Sequence, residues 1–150
     1  MQYNIRQATI QDICRLSEIE IFNYRMNFFT IFKNDSYYFG ELQVVSMMDM
    51  YKNNDNLIKN TYVYDDGVIK GFIRINGEQI EKLFVEPILH GQAIGESLLK
   101  YAINNLNASF LWALEKNERA IKFYIRNGFH LTNEKILEEG TTNYLVKLIY

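Results

Sequence analysis

One segment of the chain places small residues where an anionic ligand could reach the main chain. Residues 83–96 are predicted to form a buried strand, a loop containing Gly91, Ala93 and Gly95, and the start of an amphipathic helix. Glycine permits close approach to the backbone, and a helix N-terminus offers unpaired N–H groups and the positive end of its dipole. The segment therefore suits a phosphate or a pyrophosphate. The same glycines could instead serve only as a tight strand-to-helix connection.

Two well-known phosphate-binding patterns do not fit this segment. No Gly-Lys-Ser/Thr follows the glycines, which argues against a P-loop. The strands before the loop are separated by Asp65-Asp66-Gly67 and Asn76-Gly77, which are signals of tight antiparallel turns. A dinucleotide-binding fold instead needs its glycines after the first strand of a βαβ unit.

A second pattern lies downstream of the loop. Asn117 can cap a helix that ends at Asn127-Gly128, with Phe123 and Tyr124 inside it. On its own this pattern indicates a short capped helix with a tyrosine packed in the core.

Together the two patterns resemble the signatures of the GNAT N-acetyltransferases. Val85-x-Pro87-x-x-His90-Gly91-x-Ala93-Ile94-Gly95 is similar to the family's acyl-CoA-binding motif, Val-x-Pro-x-x-Arg-Gly-x-Gly-Ile-Gly, and Asn117-x-x-Ala120-x-x-Phe123-Tyr124-x-x-x-Gly128-Phe129 is similar to its second signature. The resemblance implies an N-acetyltransferase that moves an acetyl group from acetyl-CoA to a primary amine, in a small molecule or a peptide, by direct attack and without a metal.

The chain departs from the family pattern at two positions. His90 stands where the family has arginine, and a protonated imidazole could replace that cation only in part. Ala93 stands for glycine and is expected to be tolerated if its φ is negative. These departures leave open an alternative, a GNAT-like module that binds acyl-CoA or a partner protein without turnover.

The resemblance also implies roles for individual residues. The N–H groups from Gln92 to Glu96 would hold the pyrophosphate, and the main chain of Leu83 and Val85 would pair with the pantetheine arm like an added strand. Asn117 resembles the asparagine that contacts this arm, although a helix cap also explains it. The expected cofactor-binding residues are Leu83, Phe84, Val85, His90, Gly91, Gln92, Ala93, Ile94, Gly95, Glu96, Asn117 and Tyr124.

Two side chains are the expected catalytic residues. Tyr124 resembles the family's tyrosine, which can protonate the departing thiolate as a general acid. Glu81, two residues before Leu83 on the same strand face, could deprotonate the acceptor amine directly or through water. Glu78 and Glu86 could compete with it, and each of these carboxylates could simply be a surface charge.

The acceptor pocket is expected from the aromatic segment between residues 22 and 39 and from the last hairpin. The predicted substrate-binding residues are Tyr24, Phe28 and Tyr37, whose rings could hold an apolar or cationic acceptor. Core packing or a homodimer contact would explain these rings equally well.

Composition narrows the remaining possibilities. The 150 residues fit one domain, 1–150, and a net charge of −2 without a basic block argues against nucleic-acid binding. The sequence has no apolar run of membrane-spanning length, no secretory signal and no grouping of ligands with metal-binding spacing. The single Cys14 excludes an internal disulfide, fits a cytoplasmic location, and is expected to be packed in the core.

These residues must be positioned by alternating strands and helices. The turn signals and apolar periodicities predict the order β-α-α-β-β-β-α-β-α-β-β, an α/β (α+β) domain. The GNAT fold implies a mixed, mostly antiparallel sheet of about seven strands with about four helices. Strands are expected at 3–7, 58–65, 68–75, 79–85, 110–114, 129–137 and 142–149, and helices after Thr9, at 40–51, from Ile94 to Leu106, and at 118–126. The first helix is expected to turn Ile13, Leu16, Ile19 and Ile21 toward the core, and the second to carry on its apolar side Leu42, Val45, Met48 or Met47, and Met50.

Overall fold

The computed structural model describes residues 4–150, which form a seven-stranded sheet. Along the sheet the order is β1-β2-β3-β4-β5-β7-β6, and only the β4–β5 pair is parallel. This confirms the predicted mixed, mostly antiparallel sheet; of the first expected strand, Tyr3 lies outside the described residues. The strands are β1 (Ile5–Gln7), β2 (Thr61–Asp65), β3 (Ile69–Asn76), β4 (Gln79–Val85), β5 (Phe110–Leu114), β6 (His130–Leu137) and β7 (Tyr144–Ile149).

Within residues 4–150 six α-helices accompany the sheet, and the four longest are the four that the sequence predicts. Two single-turn helices, α2 and α4, and a π-helical segment at Ser36–Glu41 were not expected. Short 3₁₀ turns lie at Ile10–Asp12 and Pro87–Leu89. The helices are α1 (Ile13–Asn27), α2 (Phe29–Phe32), α3 (Val44–Lys52), α4 (Asp55–Lys59), α5 (Ile94–Leu106) and α6 (Glu118–Arg126).

The core consists of two apolar clusters, one on each face of the sheet. Because side chains alternate faces along a strand, neighbours on β3 separate: Phe72 packs with α1 and α3, whereas Ile73 packs with α5. On α1 the predicted core residues Ile13, Leu16, Ile19 and Ile21 are all buried. Burial on both faces fixes the central strands, and these strands carry the site.

Two expectations near the N-terminal helices were wrong. Cys14 is exposed rather than packed in the core, because the buried stripe of α1 runs through Ile13 and Leu16 instead. The second helix begins at Val44, after the π-helical segment, so its buried positions are Met47 and Tyr51.

This later start changes which side of the helix faces the core. Val45 is 68% exposed and Met50 is 43% exposed, although both were expected on the apolar side. The strand expected to begin at residue 58 begins at Thr61. The residues before it, Asp55–Lys59, form α4, and Ile58 is buried as part of that helix.

β4 contains a β-bulge opposite β3. Arg74 of β3 pairs with Lys82, whereas Ile75 pairs with Ile80, so Glu81 is an extra residue in β4. The parallel pairing of β4 with β5 is confined to Gln79 with Phe110 and Ile80 with Leu111. Beyond the bulge the two strands diverge and leave a gap in the middle of the sheet.

Candidate active site

The gap exposes one edge of β4. The N–H of Glu86 donates to the carbonyl of Lys70 on β3. Since backbone groups alternate sides along a strand, the N–H and C=O groups of Leu83 and Val85 lie on the opposite edge, toward the gap. The Val85 carbonyl accepts hydrogen bonds from Asn23 Nδ2 at 2.9 Å and from His90 Nε2 at 3.1 Å. The free edge beside Leu83 can therefore pair with an extended amide-containing chain.

The loop after β4 ends in a helix N-terminus that faces the same gap. Ser97 donates to the carbonyl of Ala93, so the N–H groups of Ile94, Gly95 and Glu96 precede the first helical hydrogen bond of α5. Gly91 has φ +87°, a conformation that favours glycine. Unpaired amides in this arrangement can hold an anion.

Ala93 does not meet the condition under which alanine was expected to be tolerated. Its φ is +63°, whereas tolerance of alanine was expected from a negative φ. A left-handed conformation costs a residue with a Cβ about 1–2 kcal/mol. The loop keeps the shape that glycine would give it, at some cost in stability.

Gly95 lines a cleft, beside Val85 and Phe123. A Cβ at this position would lie 3.5 Å from Phe123 Cζ and 3.6 Å from Val85 Cγ2, which are ordinary contact distances. The fold itself therefore tolerates a methyl group here, and the space it would fill belongs to the cleft. This cofactor cleft has a volume of about 790 Å³ and is lined by the β4 edge, by the loop from Leu89 to Glu96 without Gln92, and by α6.

His90 is held as a neutral imidazole. Its Nε2 donates to the Val85 carbonyl, and its Nδ1 accepts from Arg119 Nη2 at 2.7 Å. A guanidinium only donates, so Nδ1 carries no proton. Burial lowers the pKa of His90, and the charge of Arg119 acts in the same direction. The imidazole therefore does not supply the cation that the family has at this position.

Cations reach the cofactor cleft from α6 instead. Arg119, Lys122 and Arg126 all line it, and none of them forms an ion pair within residues 4–150. The sequence analysis did not select them; their spacing of three and four residues, which places them on one helical face, was the available signal.

Asn117 and Tyr124 occupy the start and the middle of α6. Asn117 Oδ1 accepts from the N–H of Ala120 at 3.3 Å, which is the expected helix cap. Tyr124 is 8% exposed, packs against Phe123 and Phe129, and its hydroxyl has no hydrogen-bond partner among the described residues. Burial raises the pKa of Tyr124, which keeps the phenol protonated.

A second cleft opens on the other side of Tyr124. This acceptor cleft has a volume of about 1170 Å³, and its lining includes the three predicted substrate-binding residues, Tyr24, Phe28 and Tyr37. Tyr124 lines both clefts, as do Asn27, Leu83, Asn117 and Ala120.

Tyr24 presents its ring rather than its hydroxyl to the acceptor cleft. The hydroxyl donates to Glu20 Oε2 at 2.6 Å, and Lys82 Nζ lies 5.2 Å from the ring centroid. Burial, followed by the neighbouring Glu20 carboxylate, raises the pKa of Tyr24. This tyrosine can contact an acceptor but is poorly suited to transfer a proton.

The three candidate bases lie in different environments. Glu81, on the bulge, is exposed, lines the acceptor cleft, and accepts from Asn76 Nδ2 at 3.0 Å. Glu86 forms an ion pair with Arg15 at 2.7 Å, and Glu78 accepts from Ser109 at 3.3 Å. Among the three, Glu81 alone lines a cleft.

Two residues expected at the cofactor lie elsewhere. The Phe84 side chain is buried between Tyr24 and Phe72 on the opposite face from Val85, because neighbours on a strand alternate. Gln92 is exposed and does not line the cofactor cleft, so only its main chain is near the site.

The described residues contain no cluster of potential metal ligands. Groups of three or more His, Cys, Asp or Glu side chains suited to a metal ion are absent from residues 4–150. Among the helices of that same range, none is long and apolar enough to cross a membrane.

Comparisons with known proteins identify a family that this chain resembles. A model of the acetyltransferase (GNAT) domain matches residues 58–131. The chain is 32% identical over 81 residues to the peptidyl-lysine N-acetyltransferase YjaB of Salmonella typhimurium. The aligned residues make up 53% of this chain and 56% of that protein. The chain spans about half the length of the curated relatives it matches.

Solved structures agree on the fold along the whole chain. Apo-form YjaB from Escherichia coli has a TM-score of 0.75 at 20% identity, covering 100% of this chain and 98% of that chain. The PaiA N-acetyltransferase of Thermoplasma acidophilum, solved with coenzyme A, has a TM-score of 0.69 at 18% identity and covers 100% of both chains. The matched residues 58–131 include the diverging strands and the loop at the head of α5, so the part of the chain that carries the site is that of a GNAT acetyltransferase domain.

Proposed function

We propose that this protein transfers the acetyl group of acetyl-CoA to a primary amine. The observation that carries the proposal is the position of Tyr124 between two clefts, with an unpartnered hydroxyl and a retained proton. A thioester held on one side and an amine on the other would meet at this phenol.

The cofactor cleft fits coenzyme A in three respects. Free N–H groups at the head of α5 suit a pyrophosphate, and the open edge of β4 at Leu83 suits the amides of a pantetheine arm. The absent side chain at Gly95 leaves space that a Cβ would fill. Bound acetyl-CoA supplies the activated acetyl group. The protein must position the amine and move the two protons of the reaction.

Direct attack needs one proton removed and one supplied. As the amine nitrogen bonds to the thioester carbonyl carbon, it must lose a proton, and Glu81 lines the cleft from which that amine would enter. When the tetrahedral adduct breaks its C–S bond, the thiolate needs a proton, which Tyr124 supplies as a general acid. Because burial raises the pKa of Tyr124, the phenol is protonated before each turnover.

The proposed acceptor is a lysine side chain of a peptide. The curated relatives YjaB and YiaC are peptidyl-lysine N-acetyltransferases. In this chain the acceptor cleft combines aromatic rings with the carboxylates of Glu81, Glu138 and Glu139, and both groups attract a cationic side chain. The cleft is also open enough for a peptide, although a small amine would meet the same groups.

Replacing Tyr124 with phenylalanine tests the mechanism. The ring contacts with Phe123 and Phe129 remain, so the variant should fold and bind acetyl-CoA like the native protein. We expect kcat for a lysine peptide to fall about 100-fold or more, because general acid catalysis contributes about 10²–10⁴-fold. Tyr144→Phe, on the exposed part of β7, is the control and should leave kcat unchanged. Equal kcat values for Tyr124→Phe and the native protein would remove Tyr124 from the mechanism.

A second candidate function is acyl-CoA binding without turnover. It is favoured by the neutral His90 and by the left-handed Ala93, both of which depart from the family's phosphate loop. This function requires that acetyl-CoA binds while no amine in a broad panel accelerates thiol release. Restoring His90→Arg together with Ala93→Gly should then raise affinity and still give no turnover.

A further inference from the structure

We propose that Arg119 is the cation that binds the pyrophosphate of coenzyme A in this protein, in the role that an arginine at position 90 would otherwise fill. The inference rests on the proposed function and assigns Arg119 a binding role in the cofactor cleft. It follows from the contacts of three side chains: His90, Arg119 and Asn117.

The first step concerns the charge at position 90. Both ring nitrogens of His90 are engaged, one as a donor to Val85 and the other as an acceptor from Arg119. An imidazole with this pair of contacts is neutral, so the loop itself carries no cation at the place where the family has one. The nearest positive charge is the guanidinium bonded to the ring, at 2.7 Å.

The second step concerns the availability of that guanidinium. Arg119 is exposed and forms no ion pair within residues 4–150. The carboxylates nearest in the loop and in α5 have other cations: Glu86 pairs with Arg15, and Glu96 pairs with Lys100 at 2.9 Å. The charge of Arg119 is therefore free to bind an anion.

The third step concerns direction. Asn117 caps α6, which fixes the first turn that carries Arg119. His90 then holds Arg119 Nη2 beside the loop, so the side chain lines the same cleft as the free amides at the head of α5. Arginine offers five N–H donors, and only one nitrogen is occupied by the imidazole. His90 acts as a positioning residue, and Arg119 keeps donors for phosphate oxygens.

Titration calorimetry with three ligands tests the proposal. The ligands are coenzyme A, dephospho-coenzyme A, which lacks the 3′-phosphate, and pantetheine, which lacks the pyrophosphate. We expect Arg119→Gln to lower the affinity for coenzyme A and for dephospho-coenzyme A by about 10- to 100-fold, because charge-assisted hydrogen bonds are lost. Pantetheine should bind Arg119→Gln and the native protein equally.

Lys122→Gln is the matched control, because it removes the same charge from the same helix and the same cleft. With dephospho-coenzyme A it should weaken binding several-fold less than Arg119→Gln does, because within residues 4–150 no hydrogen bond holds Lys122 against the loop. Equal losses for Lys122→Gln and Arg119→Gln with this ligand would mean a diffuse charge effect and would overturn the proposal. A loss in Arg119→Gln that disappears with dephospho-coenzyme A would assign Arg119 to the 3′-phosphate and would also overturn it.

Moving the cation back to the loop provides an independent readout. His90→Arg in the Arg119→Gln background should restore most of the lost affinity for dephospho-coenzyme A, since it returns a guanidinium to the family position. Failure of this restoration, with the double variant folded, would contradict the proposal. If the native protein does not bind coenzyme A at all, the proposed function fails; if it binds and Arg119→Gln binds equally well, only the role of Arg119 fails.

Discussion

At the scale of single residues, the site depends on groups whose chemistry is set by their neighbours. Tyr124 retains its proton because it is buried, and His90 stays neutral because Arg119 donates to it. The sequence motifs and their resemblance to a known family predicted Tyr124, Glu81 and the loop glycines as site residues. It could not predict the contact between His90 and Arg119, because that contact joins two elements far apart in sequence.

Ala93 offers a direct test of the loop conformation. Ala93→Gly should stabilise the protein by about 1 kcal/mol, since glycine adopts a φ of +63° without the Cβ clash. The free energy of unfolding in urea measures this. Ser97→Gly, four residues later in the regular part of α5, is the control and should lose about 0.5 kcal/mol. A destabilised Ala93→Gly would mean that the loop does not hold the left-handed conformation.

At the scale of elements, the site forms where two strands separate and two helices begin. The bounds of β4, β5 and α6 agree with those expected, because turn residues and a cap mark their ends in the sequence. The π-helical segment at Ser36–Glu41 and the bulge at Glu81 were not predicted. The bulge contains neither glycine nor proline, and Gly40 alone does not specify a π-helix, so tertiary packing decides both irregularities.

Gly95 tests whether the head of α5 is shaped for a ligand or only for the fold. Gly95→Ala should keep or raise the free energy of unfolding, by up to about 1 kcal/mol, because alanine favours the helix and its Cβ meets only ordinary contacts. The affinity for acetyl-CoA should fall by about tenfold or more, since the methyl group enters the cofactor cleft. Unfolding and calorimetric titration measure the two effects separately. A variant that is more stable and binds equally well would show that the cleft at Gly95 is not occupied by the cofactor.

At the scale of the whole molecule, a buried polar network joins α1 and α3 to the sheet beneath the acceptor cleft. Glu20 accepts from Tyr51 at 2.7 Å and from Tyr24 at 2.6 Å, and it pairs with Arg74 of β3 at 3.4 Å. Arg74 also donates to Thr61 and to the Tyr51 hydroxyl. The network fixes α1, which in turn supplies Asn23 to the edge of β4. None of these partners was predicted, because the polar residues lie in four different elements.

Removing the negative charge of this network should destabilise the whole fold. Glu20→Gln leaves Arg74 buried without its counter-charge, and we expect a loss of about 3–5 kcal/mol in the free energy of unfolding. The control is Glu18→Gln, which breaks the exposed pair with Arg15 on the same helix and should cost less than about 1 kcal/mol. Equal, small losses in both variants would mean that the buried pair does not hold α1 against the sheet.

The central claim is that amine acetylation occurs between the two clefts, and thiol release tests it most directly. Purified protein is mixed with acetyl-CoA and a peptide that contains one lysine, and the rate of free thiol formation is followed together with the mass of the peptide. A second peptide carries norleucine in place of lysine. We predict saturable thiol release and a one-acetyl mass gain for the lysine peptide, and background release for the norleucine peptide. If acetyl-CoA binds while neither that lysine peptide nor a panel of small amines accelerates release, the account of this protein as a transferase is wrong.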